Sequence, residues 1–135
     1  MQQPPITVIC GLIRNHQNQY FLARRAAHKD HAGFWEFPGG KLEPGETHQA
    51  CLKRELMEEL DMEVHIGELA GDTHHTFENF SIHLIAYYGD FVSATYQLSD
   101  HDRYEWVAAK DLLTYKLAAS DIVFAELLQK VSHSE

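Results

Sequence analysis

The patterned part of the chain opens with a nearly unbroken apolar run, Ile6 to Ile13, as expected of a strand covered on both faces. Residues 14–18 are polar and turn-like, and Tyr20 to Ala23 reads as the returning strand, so a hairpin is expected first. Ala26 to Gly33 reads as a loop. In the run Phe34-Trp35-Glu36-Phe37-Pro38, alternation sets Trp35 and Phe37 on one face and Phe34 and Glu36 on the other. One face is expected in the core and the other along a cleft, and spacing alone leaves open which. Gly39, Gly40, Pro44 and Gly45 then interrupt regular structure, and the adjacent glycines allow the backbone to come close to a ligand. Behind Thr47, a residue suited to an N-cap, Leu52, Leu56 and Leu60 recur every fourth position and predict a helix.

Past that helix, Met62 to Leu69 alternates weakly as a strand and Gly71-Asp72 reads as a turn. Thr73 to Phe77 and Ser81 to Tyr88 predict an antiparallel pair joined through Glu78, Asn79 and Phe80. Phe91 to Leu98 is less regular, and Ser99 to Asp102 is a polar loop before a short strand, Arg103 to Val107. Ala108 to Leu113 suits a short helix. Ser120 is placed to cap a last helix, Asp121 to Val131, packing through Ile122, Phe124, Ala125, Leu127, Leu128 and Val131.

Composition narrows the class. A chain of 135 residues with 44% hydrophobic content suits one domain, residues 1–135, with one real core. A net charge of −9 argues against a nucleic-acid polymer or a membrane surface, which favour a basic face. It leaves room for a nucleotide, whose phosphates a metal and a few local cations can meet. Cys10 and Cys51 form no CxxC pattern and are expected as reduced thiols. Residues 1–5 lack the basic and apolar regions of a signal peptide, and no apolar run approaches the ~20 residues that span a bilayer. A cytoplasmic protein is expected; the oligomeric state is not readable from this pattern.

Opposite the leucine stripe, Glu55, Glu58 and Glu59 share one patch of the helix. Glu55 and Glu59 are like charges four apart, which costs roughly 0.2–0.5 kcal/mol in an isolated helix. Only Arg54 is placed to help, four residues before Glu58. Such a patch calls for a cation, and a hard divalent ion prefers oxygen ligands. Arg24-Arg25, at a strand end, offers planar forks suited to phosphate, although for an isolated pair solvent or neighbouring acids are the simpler partners. His74, His75 and His83 invite a zinc reading. No cysteine joins them and adjacent strand residues face opposite ways, so polar positions on a sheet are the simpler account. An acid at position 121, opening a helix, is sufficiently explained by the helix dipole.

The spacing Gly40, Glu46, Arg54-Glu55-Leu56, Glu58-Glu59 resembles the Nudix box, the signature of hydrolases acting on nucleoside diphosphates linked to another group. One position departs from it: Asp61 stands where the family has glycine. That position ends the helix, and aspartate tolerates the left-handed conformation better than most residues. The run Trp35 to Lys41 and the segment Tyr115 to Ile122 are similar to the MutT-like and CTP pyrophosphohydrolase-like branch. The resemblance implies an α/β fold, an α/β/α sandwich around a central mixed β-sheet. It implies magnesium, with manganese as a substitute, held by Glu55, Glu58 and Glu59, with Glu105 and the Gly39 carbonyl assisting. It implies catalytic roles among Glu55, Glu58, Glu46 and Arg54: Glu55 or Glu58 leads as the base acting on water, Glu46 and Glu105 stay open, and Arg54 holds the carboxylates. It places Arg25, Phe37, Lys41 and Asp121 on the substrate, Phe37 and Asp121 near the base and Lys41 facing phosphate. The implied reaction releases a nucleoside monophosphate and pyrophosphate from a nucleoside triphosphate. The expected role is clearing 8-oxo-dGTP from the nucleotide pool, in support of DNA repair. The alternatives are CTP, dCTP or 5-modified pyrimidine triphosphates, and, further off, a binding module without catalysis.

Overall fold

The structure, a computed structural model, describes residues 4–133; the reading of residues 1–3 as no signal peptide lies outside it. The strands are β1 (Ile6–Arg14), β2 (Gln19–Arg25), β3 (Trp35–Glu36), β4 (Gly39–Lys41), β5 (Met62–Thr76), β6 (Ser81–Ala94) and β7 (His101–Ala108). The helices are α1 (His48–Leu60) and α2 (Ile122–His133), with 3₁₀ turns at Ala109–Thr114 and Ala119–Asp121. The expected opening hairpin is present, but β1 and β2 share a single cross-strand pair, Arg14 with Tyr20, and then part. β4 takes over beside β1 from Val8 to Cys10, while β2 pairs with β3 and β7. On its other side β1 runs parallel to β6, and β6 pairs antiparallel with β5. The sheet is therefore mixed, and the opening between β1 and β2 is where the candidate site residues collect.

Each face of the sheet has its own apolar layer. One joins Ile9, Ile13, Phe21 and Ile85 to Cys51, Leu52, Leu56 and Leu60 of α1, so the leucine stripe packs as its spacing predicts. The other joins Cys10, Leu12, Leu22, Leu84 and Val107 to Phe124, Ala125 and Leu128 of α2. The result is the α/β/α sandwich expected. Thr47 caps α1, its hydroxyl accepting from the Ala50 N–H at 3.1 Å. Asp61 ends α1 in the left-handed conformation, φ 48° and ψ 48°, its N–H reaching the Leu56 and Met57 carbonyls. Its carboxylate also accepts from the Thr95 hydroxyl at 2.7 Å.

Several boundaries differ from the sequence pattern. Gly71-Asp72 is not a turn: β5 continues through it, and the irregularity is taken up as register shifts between Ile66 and Gly71. β6 extends to Ala94 across part of the stretch expected to be irregular, and β7 starts inside the predicted loop, at His101. The short helix after β7 is a 3₁₀ turn. Asp121 precedes α2 instead of opening it, and Ile122 and Val131 of the predicted packing set are exposed. Among the described residues no helix is long and apolar enough to cross a membrane.

Candidate functional site

The box glycines are required by contacts within the protein. A side chain at Gly39 would meet the Ile9 carbonyl oxygen at 1.9 Å, because β4 lies directly on β1. One at Gly40 would meet the Glu55 carboxyl carbon at 2.2 Å. The carboxylate of α1 thus rests on the bare backbone of Gly40. Sequence reasoning assigned that freedom to a ligand; part of it is consumed by Glu55.

Arg54 is the centre of the loop and helix. Its Nε and one terminal nitrogen donate to Glu46 at 2.7 and 2.9 Å, a two-pronged pair. The other terminal nitrogen donates to Glu55 at 2.9 Å and Glu58 at 3.2 Å, and a further bond reaches the Lys41 carbonyl. Glu46 also accepts from the Glu43 N–H, so its carboxyl is held down to about 2, chiefly by the Arg54 hydrogen bonds. This places Glu46 in the pair that fixes the loop to α1.

Glu59 is treated differently, because Arg54 serves Glu46, Glu55 and Glu58 while Glu59 faces acids. Burial first, and then the neighbouring Glu55 charge, push the Glu59 carboxyl up to about 9. Asp100 and Glu36 act in the same direction from farther away. Two close carboxyls, with the buried one raised by its neighbour's charge, are a donor set that a divalent ion suits. Glu58 is turned outward, its side chain mostly exposed beside Arg54.

The structure does not bring Glu105 to this group. It pairs across from Leu22 and so lies on the α2 face of the sheet, 3.8 Å from Arg103, and its charge adds to burial, the larger cause, in raising the Tyr115 phenol. The expectation that it joins the α1 carboxylates is corrected accordingly. The acid of that region with an electrostatic reach to Glu59 is Asp100, which the sequence reading left in a polar loop.

The substrate candidates do come together. Arg25, Phe37, Lys41 and Asp121, with Gly39 and Gly40, line one cleft of about 180 Å³, walled by Val8, Cys10, Ile82 and Leu84. A larger hollow of about 580 Å³ lies elsewhere, by Arg14, His16 and His65, and contains none of these residues. Asp121 reaches the cleft because residues 115–118 dock on β3: the Trp35 N–H donates to the Lys116 carbonyl and the Ala118 N–H to the Trp35 carbonyl, both at 2.8 Å. Asp121 is buried, and one carboxyl oxygen accepts from the Phe37 N–H at 2.8 Å while Ser120 donates to the other at 3.2 Å. Burial and the Glu36 charge lift its carboxyl to about 7, against the opposing pull of those two donors. Its reading as a simple first-turn acid does not survive that burial.

Glu36 was passed over in the sequence, although alternation set it apart from Trp35 and Phe37. Both of those pack with the α2-side core, whereas Glu36 accepts from Arg25 at 3.4 Å and meets buried His101 at 2.8 Å. Arg25 also donates to the Asp30 carbonyl at 2.6 Å, so its fork is held at the cleft, while Arg24 pairs with Asp102 at 2.7 Å.

The order of these parts along the chain matches a known family: its model, the NUDIX domain, aligns with residues 9–126. The chain belongs to the NUDIX family. As a NUDIX hydrolase it is an enzyme acting on phosphoric anhydride bonds, in a family that uses divalent metal ions. The CTP pyrophosphohydrolase of Escherichia coli (strain K12) is 36% identical over 121 residues, 90% of this chain and 89% of that protein. The 8-oxo-dGTP diphosphatase of Proteus vulgaris is 38% identical over 84 residues, 62% of this chain and 75% of that protein. The MutT protein of Methanosarcina mazei Go1 superposes with a TM-score of 0.85 at 28% identity, over 99% of this chain and 97% of that one.

Proposed function

We propose that this NUDIX hydrolase is a magnesium-dependent nucleoside triphosphate pyrophosphohydrolase, releasing a nucleoside monophosphate and pyrophosphate. The observation behind it is the single cleft in which Arg25, Phe37, Lys41 and Asp121 adjoin the Gly40 backbone under Glu55. Glu55 and Glu59 would hold the ion, with the Gly39 carbonyl beside them. Bound there, magnesium neutralises phosphate charge and acidifies water. Arg54 holds Glu55 and Glu58 in orientation, and one of these two takes the proton of the attacking water. Lys41 and Arg25 face the phosphates from the cleft wall.

The base is read by Asp121. With a pKa near 7 it is present in both forms at neutral pH. Protonated, it offers one donor and one acceptor, which match the N3 and amino group of cytosine. Ionised, it offers acceptors alone, which suit the adjacent N–H groups of a guanine-type base. The likeness to a CTP pyrophosphohydrolase spans 90% of the chain, against 62% for the Proteus vulgaris 8-oxo-dGTP diphosphatase. We therefore place CTP or dCTP first and 8-oxo-dGTP second, reversing the order that the sequence suggested. The test is kcat/KM on CTP, dCTP, dGTP and 8-oxo-dGTP with magnesium, detecting pyrophosphate and monophosphate. Release of orthophosphate alone would overturn the reaction assignment, and a preference for 8-oxo-dGTP would restore the original order.

A further inference from the structure

The β5–β6 hairpin builds a second cluster of metal-binding side chains. His74 stands directly opposite His83 in the register of the two strands, and Asp72 lies two residues before His74, on the same face. The two imidazoles are stacked, with centroids 4.1 Å apart and planes 10° from parallel. The Asp72 carboxylate is 2.5 Å from the His83 Nε2. One ligand atom from each of the three residues lies within 4.8 Å of the others. The ligand atoms of a tetrahedral zinc ion, bound at 2.0–2.1 Å, stand about 3.3 Å apart. Reaching that spacing requires the two stacked imidazoles to swing out of their parallel arrangement, so that both ring nitrogens face one ion. The sequence reading set zinc aside because neighbouring strand residues point apart; that holds for His75, whose ring packs on Phe77, but His83 supplies the second imidazole from across the sheet.

The donors differ in kind from those on α1. Two imidazoles and one carboxylate suit zinc and its transition-metal neighbours, whereas magnesium prefers oxygen ligands in octahedral geometry. The cluster also lies off the nucleotide cleft, on the sheet face that carries Ile85 and packs against α1. Ile82 and Leu84 line the nucleotide cleft, so His83, between them on β6, points to the other face. Asp72 and His74 are exposed and His83 is half-buried, which leaves the cluster accessible and a coordination position open to water.

We propose that Asp72, His74 and His83 form a site for a zinc-class dication, tying β5 to β6 on the sheet face turned away from the cleft. The test is calorimetric titration of the chelator-treated chain with Zn²⁺ in a large excess of Mg²⁺, which keeps the α1 carboxylates occupied. Co²⁺ absorption in the same buffer reports imidazole coordination. The expected result is one Zn²⁺ per chain, weakened tenfold or more in His74→Asn and in His83→Asn and kept in Glu59→Gln. Magnesium-dependent turnover of both histidine variants is expected to be unchanged, which also shows that they are folded. Because His74 is exposed, its variant stands as the test if His83→Asn does not fold. Undiminished Zn²⁺ binding in the His74 variant, loss of binding in Glu59→Gln alone, or no saturable binding by the wild type would overturn the site.

Discussion

The two acid sets at either end of the site each hold a carboxyl raised first by burial, and they differ in what surrounds it. On α1 the carboxylates outnumber their cation: Arg54 satisfies Glu46, Glu55 and Glu58, and Glu59 is left against Glu55 with its proton retained. At the cleft, Asp121 is a buried acid tied to a backbone N–H, with burial the first cause of its raised pKa and the Glu36 charge the second. Glu59, buried and pressed by the Glu55 charge, gives up its proton to an arriving cation. Asp121, buried and tied to a backbone N–H, gives its proton up to pH or keeps it to donate to a ligand. On the proposed function, the first arrangement serves phosphorus chemistry and the second serves recognition of the base.

The largest expected effect separates the two ends. Glu59→Gln should lower kcat by at least about a hundredfold at saturating magnesium, since even residues that only support a metal ligand are worth 10–100-fold. Relieving the repulsion with Glu55 should leave Tm in chelator equal or higher. Activity and stability would then move in opposite directions, and near-normal turnover would sink the metal assignment. Next in size is Arg54→Met, which strands three acids at once. Here kcat and Tm should fall together, with roughly a tenfold or greater loss of turnover, because Glu55 and Glu58 lose the fork that orients them. Arg54→Lys should recover little of it, a point charge being unable to span Glu46, Glu55 and Glu58. Full recovery in steady-state rates would mean that only net charge matters there.

Asp121→Asn tests the other end and should act on selectivity more than on rate. In the wild type, the ratio of kcat/KM for CTP over 8-oxo-dGTP should rise as pH falls through about 7, where Asp121 gains its proton. In the asparagine variant, which cannot titrate, that ratio should be flat. Stability follows from the same shift. The folded pKa lies above the ordinary value of 3.8, so the stabilisation due to this group is full below about pH 4. It is lost as pH rises toward about 7 and levels off beyond. Tm measured across that range in chelator should decline less in Asp121→Asn. Equal loss of activity on every nucleotide, with no change in the pH trend, would reduce Asp121 to a structural residue.

The same division explains what was legible beforehand. The helix of the box was readable because its three signals, Thr47, the leucine stripe and the glutamate patch, all lie within fourteen consecutive residues and depend on local geometry. The cleft was less so. Asp121 owes its burial to residues 115–118 docking on β3, a contact between segments about eighty residues apart. Glu36 and His101 meet for a similar reason, through the pairing of β2 with both β3 and β7. Glu105 misled because a motif position next to Trp106 says nothing about which face of β7 it occupies. The Gly71 region misled in the reverse sense, since a glycine that suggests a turn also accommodates a bulge within a long strand.

The smallest effect concerns the one box position that departs from the family. Asp61 takes the left-handed conformation that glycine adopts without strain, and the strain in a non-glycine residue there is of order 1 kcal/mol. Asp61→Gly would relieve it while losing the 2.7 Å hydrogen bond from Thr95, worth roughly the same amount. The two should nearly cancel, leaving the urea midpoint of unfolding within about 1 kcal/mol of wild type and kcat unchanged. Thr95→Val alone keeps the strain and discards the bond, so it should be the less stable of the two variants. If Asp61→Gly instead lowered kcat, the end of α1 would be coupled to Glu59, two residues away, and the departure from glycine would belong to the chemistry as well as to the cap.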